Sequence, residues 1–163
     1  MRKFKLFLIT SILMLALCSC GKESPFGKTE VTEKELNAAN YQVPTEWAEE
    51  TTKDVNLHFP GGTADPNKSY IMIAFIDDLS LEEYIDGISE NGAENFKKEE
   101  VTIDDAKRYK ISFTIPEDAG NASCVMYSVS TDDGIYSAAN TQPSGGEDYS
   151  EYLEKVVNTM KFK

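Results

Sequence analysis

The chain has 163 residues, of which 28 are acidic and 16 are basic, so its formal net charge is −12 at pH 7. This excess of carboxylates argues against binding to nucleic acid or docking on anionic headgroups, because both require clustered Lys and Arg. The single histidine leaves little material for imidazole metal sites or for histidine-based general-base catalysis.

The beginning of the chain has the pattern of an export signal. Three basic residues within the first five precede an uncharged apolar run of 12 residues from Leu6 to Leu17. As a helix this run would be about 18 Å long, well short of the roughly 30 Å hydrocarbon core of a bilayer. We therefore predict a signal peptide over residues 1–19 that is too short to anchor the protein by itself.

The cysteines that follow the apolar run carry a more specific signal. Leu17-Cys18-Ser19 stands directly before Cys20, which resembles the lipobox of bacterial lipoproteins. The resemblance implies that Cys20 is the lipid attachment site, with a diacylglyceryl group on its sulfur. Two or more acyl chains hold a protein firmly on a membrane.

Other interpretations of this segment stay open. Cleavage before Cys18 would place bulky Leu17 at the cut, where signal peptidases favour a small side chain. An ordinary secretory cleavage nearby, or an uncleaved leader, is a further alternative. A disulfide between Cys18 and Cys20, two residues apart, is sterically poor.

Residues 20–39 are predicted to be the lipidated cysteine and a flexible tether. The segment is polar and lacks a sustained apolar period, although some helix is expected near Glu33 to Ala39. Residues 40–163 have the usual size of one domain with one core. Only Cys124 remains in that domain, so its stability must come from packing.

The first strands of the domain are read from apolar patterns. Val55 to Phe59 alternates apolar with polar residues and runs into Pro60-Gly61-Gly62, which predicts a strand with His58 on its polar side. Ser69 to Ile76 is apolar on both faces, which is typical of a central strand covered on both sides.

A helix is predicted next. Ser80 and Glu83 fit a capping box, and Asn91-Gly92 is a typical helix end. Apolar residues recur between these signals at helical spacing. They are Leu81, Tyr84, Ile85 and Ile88.

A meander of three or four strands follows this helix. The linking segments include Asp104-Asp105 and Asp132-Asp133-Gly134, and short links join antiparallel neighbours. The predicted strands are Phe96 to Ile103, Lys107 to Ile115, Ser123 to Thr131 and Gly134 to Asn140.

The chain closes with an amphipathic helix between Tyr149 and Met160. Its apolar stripe requires a sheet to lie on, and the two-sided strand requires helices, so the predicted class is α+β: a single domain with an antiparallel β-sheet flanked by α-helices. The stripe consists of Tyr149, Tyr152, Leu153, Val156, Val157 and Met160.

The order of these elements, with "YQVPTEW" at the start of the domain, "VTIDDAKRY" opening a hairpin and "NTMKFK" at the end, resembles the PsbP-like superfamily. The resemblance implies a sheet with helices packed on its faces and accessory or binding roles. Many relatives have Asn-Gly where this chain has Asp104-Asp105, and no functional residue of the relatives matches a position here.

Several patterns suggest chemistry, each with a structural alternative. The pairs Asp77-Asp78, Asp104-Asp105 and Asp132-Asp133 could supply calcium ligands if the fold brought two of them together, although Asp is common at turns. "PSGGED" at Pro143 to Asp148 precedes a helix as a phosphate cradle would, but capping by Ser144 or Asp148 explains it more simply. Cys124 is expected to fill the core.

These observations together predict a lipid-anchored, extracytoplasmic binding or accessory module of the bacterial cell envelope, without catalysis and without a cofactor. Its expected partners are the membrane, through Cys20, and an envelope protein or small ligand; nucleic acid is not expected. One alternative is an envelope-polymer hydrolase whose acid and base are paired carboxylates. The other is a protein that binds calcium or a small ligand. The hydrolase would use Asp77, Asp78, Asp132 or Asp133.

Overall fold

The computed structural model describes residues 24–65, 67–103, 105–116 and 119–163. The leader and Cys20 lie outside the described residues, so the signal peptide and the lipid attachment remain predictions. The strands are β1 (Val31–Leu36), β2 (Ala39–Pro44), β3 (Ala48–Thr51), β4 (Val55–Phe59), β5 (Tyr70–Ile76), β6 (Glu94–Ile103), β7 (Ala106–Ile115), β8 (Ala122–Ser130), β9 (Ile135–Pro143) and β10 (Lys161–Phe162), and the helices are α1 (Leu81–Glu90) and α2 (Ser150–Thr159).

Two antiparallel sheets and two helices form the domain, which confirms the predicted α+β class. The large sheet has seven strands in the order β3-β4-β5-β9-β8-β7-β6, and the small sheet has three in the order β1-β2-β10. One face of the large sheet is covered by α1, and the other by α2 together with the small sheet. The result is a three-layer arrangement around the large sheet.

Strand β5 lies between β4 and β9 and is covered on both faces, as its continuous apolar sequence predicts. Ile71 and Ile73 are fully buried beneath α2 and the small sheet, whereas Met72 points to the α1 side. At the end of the meander, the Asp132-Asp133 turn leads into Gly134, whose φ is 149°. A Cβ atom added at this position would lie 2.6 Å from the Ile76 carbonyl oxygen, so only glycine fits.

Helix α1 begins and ends where the sequence predicts. The Ser80 hydroxyl accepts a hydrogen bond from the Glu83 amide at 3.2 Å, and the Glu83 carboxylate accepts one from the Ser80 amide at 2.9 Å. These two bonds are the predicted capping box. Ile85 is buried against Ile111 and Met126 of the large sheet.

Helix α2 supplies the main apolar stripe of the core, with Leu153, Val156 and Val157 fully buried. Its N-cap residue is Tyr149, which makes no side-chain capping bond. The N-cap therefore lies one residue after the predicted Asp148. The Asp148 carboxylate instead accepts a hydrogen bond from the Ser150 amide at 2.9 Å. In the described part of the chain, no helix is long and apolar enough to cross a membrane.

The predicted tether is wrong over most of its length. Residues 31–36 form β1, which pairs with β2 from Val31 opposite Pro44 to Leu36 opposite Ala39. The turn between them places Asn37 at a φ of 51°, a conformation that asparagine tolerates better than most residues. The expected helix near Glu33 to Ala39 is a β-hairpin instead, because Ala39, Tyr41 and Val43 alternate into the core.

The folded domain begins still earlier, at the first described residues. Phe26 is only 8% exposed, and its ring packs against Trp47 at a centroid distance of 6.3 Å. The Thr29 amide donates to the Phe26 carbonyl, and the Thr45 amide donates to the Glu30 carbonyl. The domain boundary predicted at residue 40 therefore moves upstream to about Ser24.

We expect Phe26→Ala to lower the free energy of unfolding by about 3 kcal/mol, because it removes a buried aromatic ring. Lys28→Ala, two residues away and exposed, should change it by less than about 0.5 kcal/mol. Urea unfolding of a chain that starts at Gly21 measures both. Equal stability of the two variants would show that the turn around Phe26 does not contribute to the folded domain.

Candidate functional site

The described members of the three predicted acidic pairs lie at one end of the large sheet; Asp104 lies outside the described residues. Ile135 at the start of β9 pairs with Ile76 at the end of β5 and with Ser130 at the end of β8. The turn between β6 and β7 lies at this end too, because β7 is antiparallel to β8. We call this region the acidic end and define it by Asp77, Asp78, Asp105, Asp132 and Asp133.

All of these described carboxylates are exposed to solvent. Among the residues that the structure describes, no three His, Cys, Asp or Glu side chains come together as a metal site. The hydrolase alternative requires two acids enclosed in a cleft where their environments differ. Asp77, Asp78, Asp132 and Asp133 do not form such an enclosed pair, and their positions fit turn chemistry.

The chain enters the domain at the opposite end of the large sheet. Trp47 stands just before β3, whose first residue Ala48 pairs with Phe59 at the end of β4. The Trp47 ring packs edge-on against Tyr152 of α2 at a centroid distance of 5.4 Å. We call this region the aromatic end and define it by Phe26, Trp47, Tyr149 and Tyr152.

The aromatic end combines buried rings with one exposed ring. Phe26 and Trp47 are each 8% exposed, whereas Tyr152 is 40% exposed. The Lys155 ammonium lies 5.2 Å from the centre of the Tyr152 ring and 2.7 Å from a Glu151 carboxylate oxygen. The exposed surface at this end is therefore the amphipathic Tyr152 side chain beside Lys155, and not an apolar groove.

A buried polar network lies between the two sheets, and it corrects the expected position of His58. The Asn56 amide donates to the Tyr41 hydroxyl at 2.7 Å, and that hydroxyl lies 2.9 Å from His58 Nε2. Asn56 and His58 are on the polar side of β4, as predicted, but this side faces the small sheet and not solvent. The apolar residues Val55 and Leu57 are the half-exposed ones.

The Tyr41 hydroxyl is the centre of this network. It accepts from the Asn56 Nδ2 group, which can only donate and whose second neighbour is the Glu35 carbonyl at 3.4 Å. The hydroxyl also shares a hydrogen bond with His58 Nε2, and the tautomer of the imidazole sets which of these two atoms donates. Within the described residues, His58 Nδ1 is buried without a hydrogen-bond partner.

Burial shifts the pKa values of this network in opposite directions. It lowers the pKa of His58 to about 4, against the pull of the Glu49 carboxylate 3.9 Å from Nδ1. It raises the pKa of Tyr41 to about 12. Glu49 is itself paired with Lys34 at 2.6 Å. Hydrogen bonds between Tyr41 and the β4 residues join the two sheets. Because both titratable groups are neutral near pH 7 and buried, they do not present a reactive group to a ligand.

The remaining predicted positions also have structural roles. Cys124 is 6% exposed within the sheet, and burial raises the pKa of its thiol, which confirms it as a core residue. In the loop before α2, hydrogen bonds from Ser150 and Asn140 hold the pKa of Asp148 below its usual range. The Asp148 carboxylate therefore already accepts the hydrogen bond from the Ser150 amide at the start of α2, which a phosphate cradle would use for its ligand.

No family model matches the chain, and no curated protein matches it. Among solved structures, cyanobacterial PsbP from Synechocystis has a TM-score of 0.57 at 10% identity, covering 88% of this chain and 99% of that one. PA94 from Pseudomonas aeruginosa, a protein of unknown function, has a TM-score of 0.51 at 12% identity, covering 82% and 98%.

A structure from Bacteroides thetaiotaomicron has a TM-score of 0.53 at 15% identity; the match covers 83% of this chain and 48% of that longer one. At these identities the likeness is one of fold alone. The domain has a PsbP-like α+β fold, which confirms the architectural part of the resemblance seen in the sequence.

Sequence reasoning did not find the polar network or the aromatic end. The alternation of Ala39, Tyr41 and Val43, all buried, was the available signal for β2 and for an inward-facing tyrosine. No local pattern shows that the polar side of β4 meets this strand, because the contact joins residues far apart in the chain.

We expect the stability of the domain to fall as the pH drops from about 6.5 toward about 4. The unfolded histidine takes up a proton near pH 6.5, whereas folded His58 does so only near pH 4. The free energy of unfolding should therefore decrease by about 2 to 3 kcal/mol between pH 7.5 and pH 4.5 on account of this one group.

His58→Gln supplies the control, because glutamine can accept from Tyr41 but does not titrate. Urea unfolding at the two pH values should show a smaller loss in this variant than in the parent protein. The same loss in both proteins would show that His58 is not the group responsible.

Proposed function

We propose that this protein is a lipid-anchored, extracytoplasmic accessory module of a bacterial cell envelope, attached through Cys20 and without catalytic activity of its own. The observation that carries the proposal is the arrangement of the N-terminus: a basic start, a 12-residue apolar run, and Leu17-Cys18-Ser19 before Cys20. This pattern resembles a lipoprotein leader, and it is followed almost immediately by a folded domain.

The anchor would be lipid and not peptide. The apolar run is about 12 Å too short to cross a bilayer as a helix, so firm attachment needs acyl chains, each buried methylene contributing about 0.8 kcal/mol. After removal of residues 1–19 the protein would also lose three basic residues and no acid. The exported chain is then still more acidic, which suits solubility at a charged envelope.

The accessory role is supported by the way the domain uses its polar groups. His58 and Tyr41 are buried and join the two sheets, and the acidic pairs are exposed at turns. We therefore propose that the partner, an envelope protein or a small ligand, binds to the surface of the domain; the net charge disfavours nucleic acid. The PsbP-like fold is compatible with such a role and does not by itself specify it.

Substitution of Cys20 tests the anchor. In the full chain expressed in a bacterium, Cys20→Ala should abolish incorporation of a fatty-acid label and move the protein from the membrane fraction to the soluble or secreted fraction. Cys18→Ala is the matched control and should keep both the label and the membrane fraction.

Mass spectrometry of the mature N-terminus gives the deciding measurement. A mature chain that begins at Cys20 and carries acyl chains on that residue is expected. An unmodified N-terminus, or a chain that keeps residues 1–19, would overturn the proposed anchor.

A further inference from the structure

We propose that the aromatic end of the domain faces the lipid bilayer at close range and that the acidic end points away from it. The interaction surface is the exposed part of this end, Tyr152 with Lys155, which lies over the buried rings of Phe26, Trp47 and Tyr149, and the partner is the headgroup region of the membrane. This inference rests on the proposed lipid attachment at Cys20 and adds to it an orientation for the domain.

The length of chain between anchor and domain supplies the first argument. Phe26 is buried against Trp47, and backbone hydrogen bonds hold the turn around it. Phe26 is the sixth residue after Cys20, so even a fully extended chain between them spans at most about 22 Å. For a flexible coil, six residue steps span about 14 Å on average. The domain is therefore held at the bilayer surface and not lifted off it.

The fold decides which end is held there. Tyr70 begins β5 near the aromatic end, with its ring 6.0 Å from that of Phe59, and Ile76 ends β5 at the acidic end. At about 3.3 Å per residue this strand alone separates the two ends by about 20 Å. For the acidic end to touch the bilayer, the linker would have to be stretched almost completely, which costs most of its conformational freedom.

Side-chain chemistry favours the same orientation. Tyr and Trp have an apolar body and a polar tip and are enriched at the headgroup level of membranes, and Tyr152 is one of the two exposed large hydrophobic side chains in the described part of the chain. Lys155 lies against its ring. Anionic headgroups would repel the aspartates of the acidic end, and at the aromatic end Lys155 offsets part of the acidic charge, although it is paired with Glu151.

Charge alone would not bring the aromatic end to the membrane. Glu46 and Glu147 are exposed near it, and Tyr149 donates to the Glu147 carboxylate at 2.6 Å. The acyl chains are therefore required for the contact. A chain that starts at Gly21 and has no lipid is expected to stay in solution when mixed with the same vesicles.

Trp47 is the only tryptophan in the chain, so the natural protein carries its own reporter. The lipidated protein is reconstituted into vesicles of phosphatidylethanolamine and phosphatidylglycerol, with and without a lipid that has a nitroxide on its headgroup. The nitroxide should quench Trp47 fluorescence strongly. A flexible Gly/Ser insertion of about 20 residues after Gly21 raises the average reach from about 14 Å to roughly 28 Å and should reduce the quenching several-fold while leaving lipidation intact.

A matched pair of reporters then compares the two ends. In a Trp47→Phe background, Tyr152→Trp places the reporter at the aromatic end and Leu79→Trp places it beside Asp77 and Asp78, and the parent side chains are similarly exposed at 40% and 47%. The nitroxide should quench the first several-fold more than the second. If Trp47→Phe does not fold, the parent protein and its linker insertion still provide the test.

The outcomes separate the two proposals. Vesicle-bound, lipidated protein whose Trp47 is not quenched, or whose two reporters are quenched equally, would overturn the orientation and leave the anchor in place. Protein that carries no lipid and does not associate with vesicles would overturn the anchor itself.

Discussion

The packing of α2 against both sheets is the interaction on which the rest of the domain depends. Leu153, Val156 and Val157 are fully buried, and the helix contacts β2 of the small sheet and β9 of the large one. Burying three such side chains contributes about 5 to 9 kcal/mol, which is comparable with the whole stability of a typical domain. Without this helix the N-terminal hairpin would lack most of its apolar partners.

The buried polar network adds specificity to that contact. An apolar interface tolerates many registers, whereas the bonds from Asn56 to Tyr41 and from Tyr41 to His58 are satisfied in one arrangement of β2 on β4. A slip of one residue would turn Tyr41 to the other face of its strand and leave buried polar groups without partners. The amide of Ala38, which donates to the Tyr136 hydroxyl at 2.9 Å, ties the hairpin turn to β9 in the same way.

The antiparallel topology also gives the domain two chemically different ends. Strand exits and hairpin turns rich in Asp collect at one end, because alternate connections of a meander lie on the same side of a sheet. The chain enters at the other end, where the first turn brings Phe26 onto Trp47 and α2 adds Tyr152. The same connectivity therefore places the exposed carboxylates of the turns at one end and the first described residues at the other.

The sequence by itself determined the elements whose signals are local. The capping box at Ser80, the two-sided pattern of β5, the meander and the amphipathic α2 depend on residues within a few positions of one another, and the α+β class follows from them. Only the tertiary structure decided that residues 24–39 belong to the domain, that His58 faces inward, and that four aromatic rings meet at the aromatic end. Those facts depend on contacts between residues far apart in the chain. The largely polar strand Val31–Leu36, for example, buries only Leu36 and joins the domain through its pairing with β2, which is itself covered by α2.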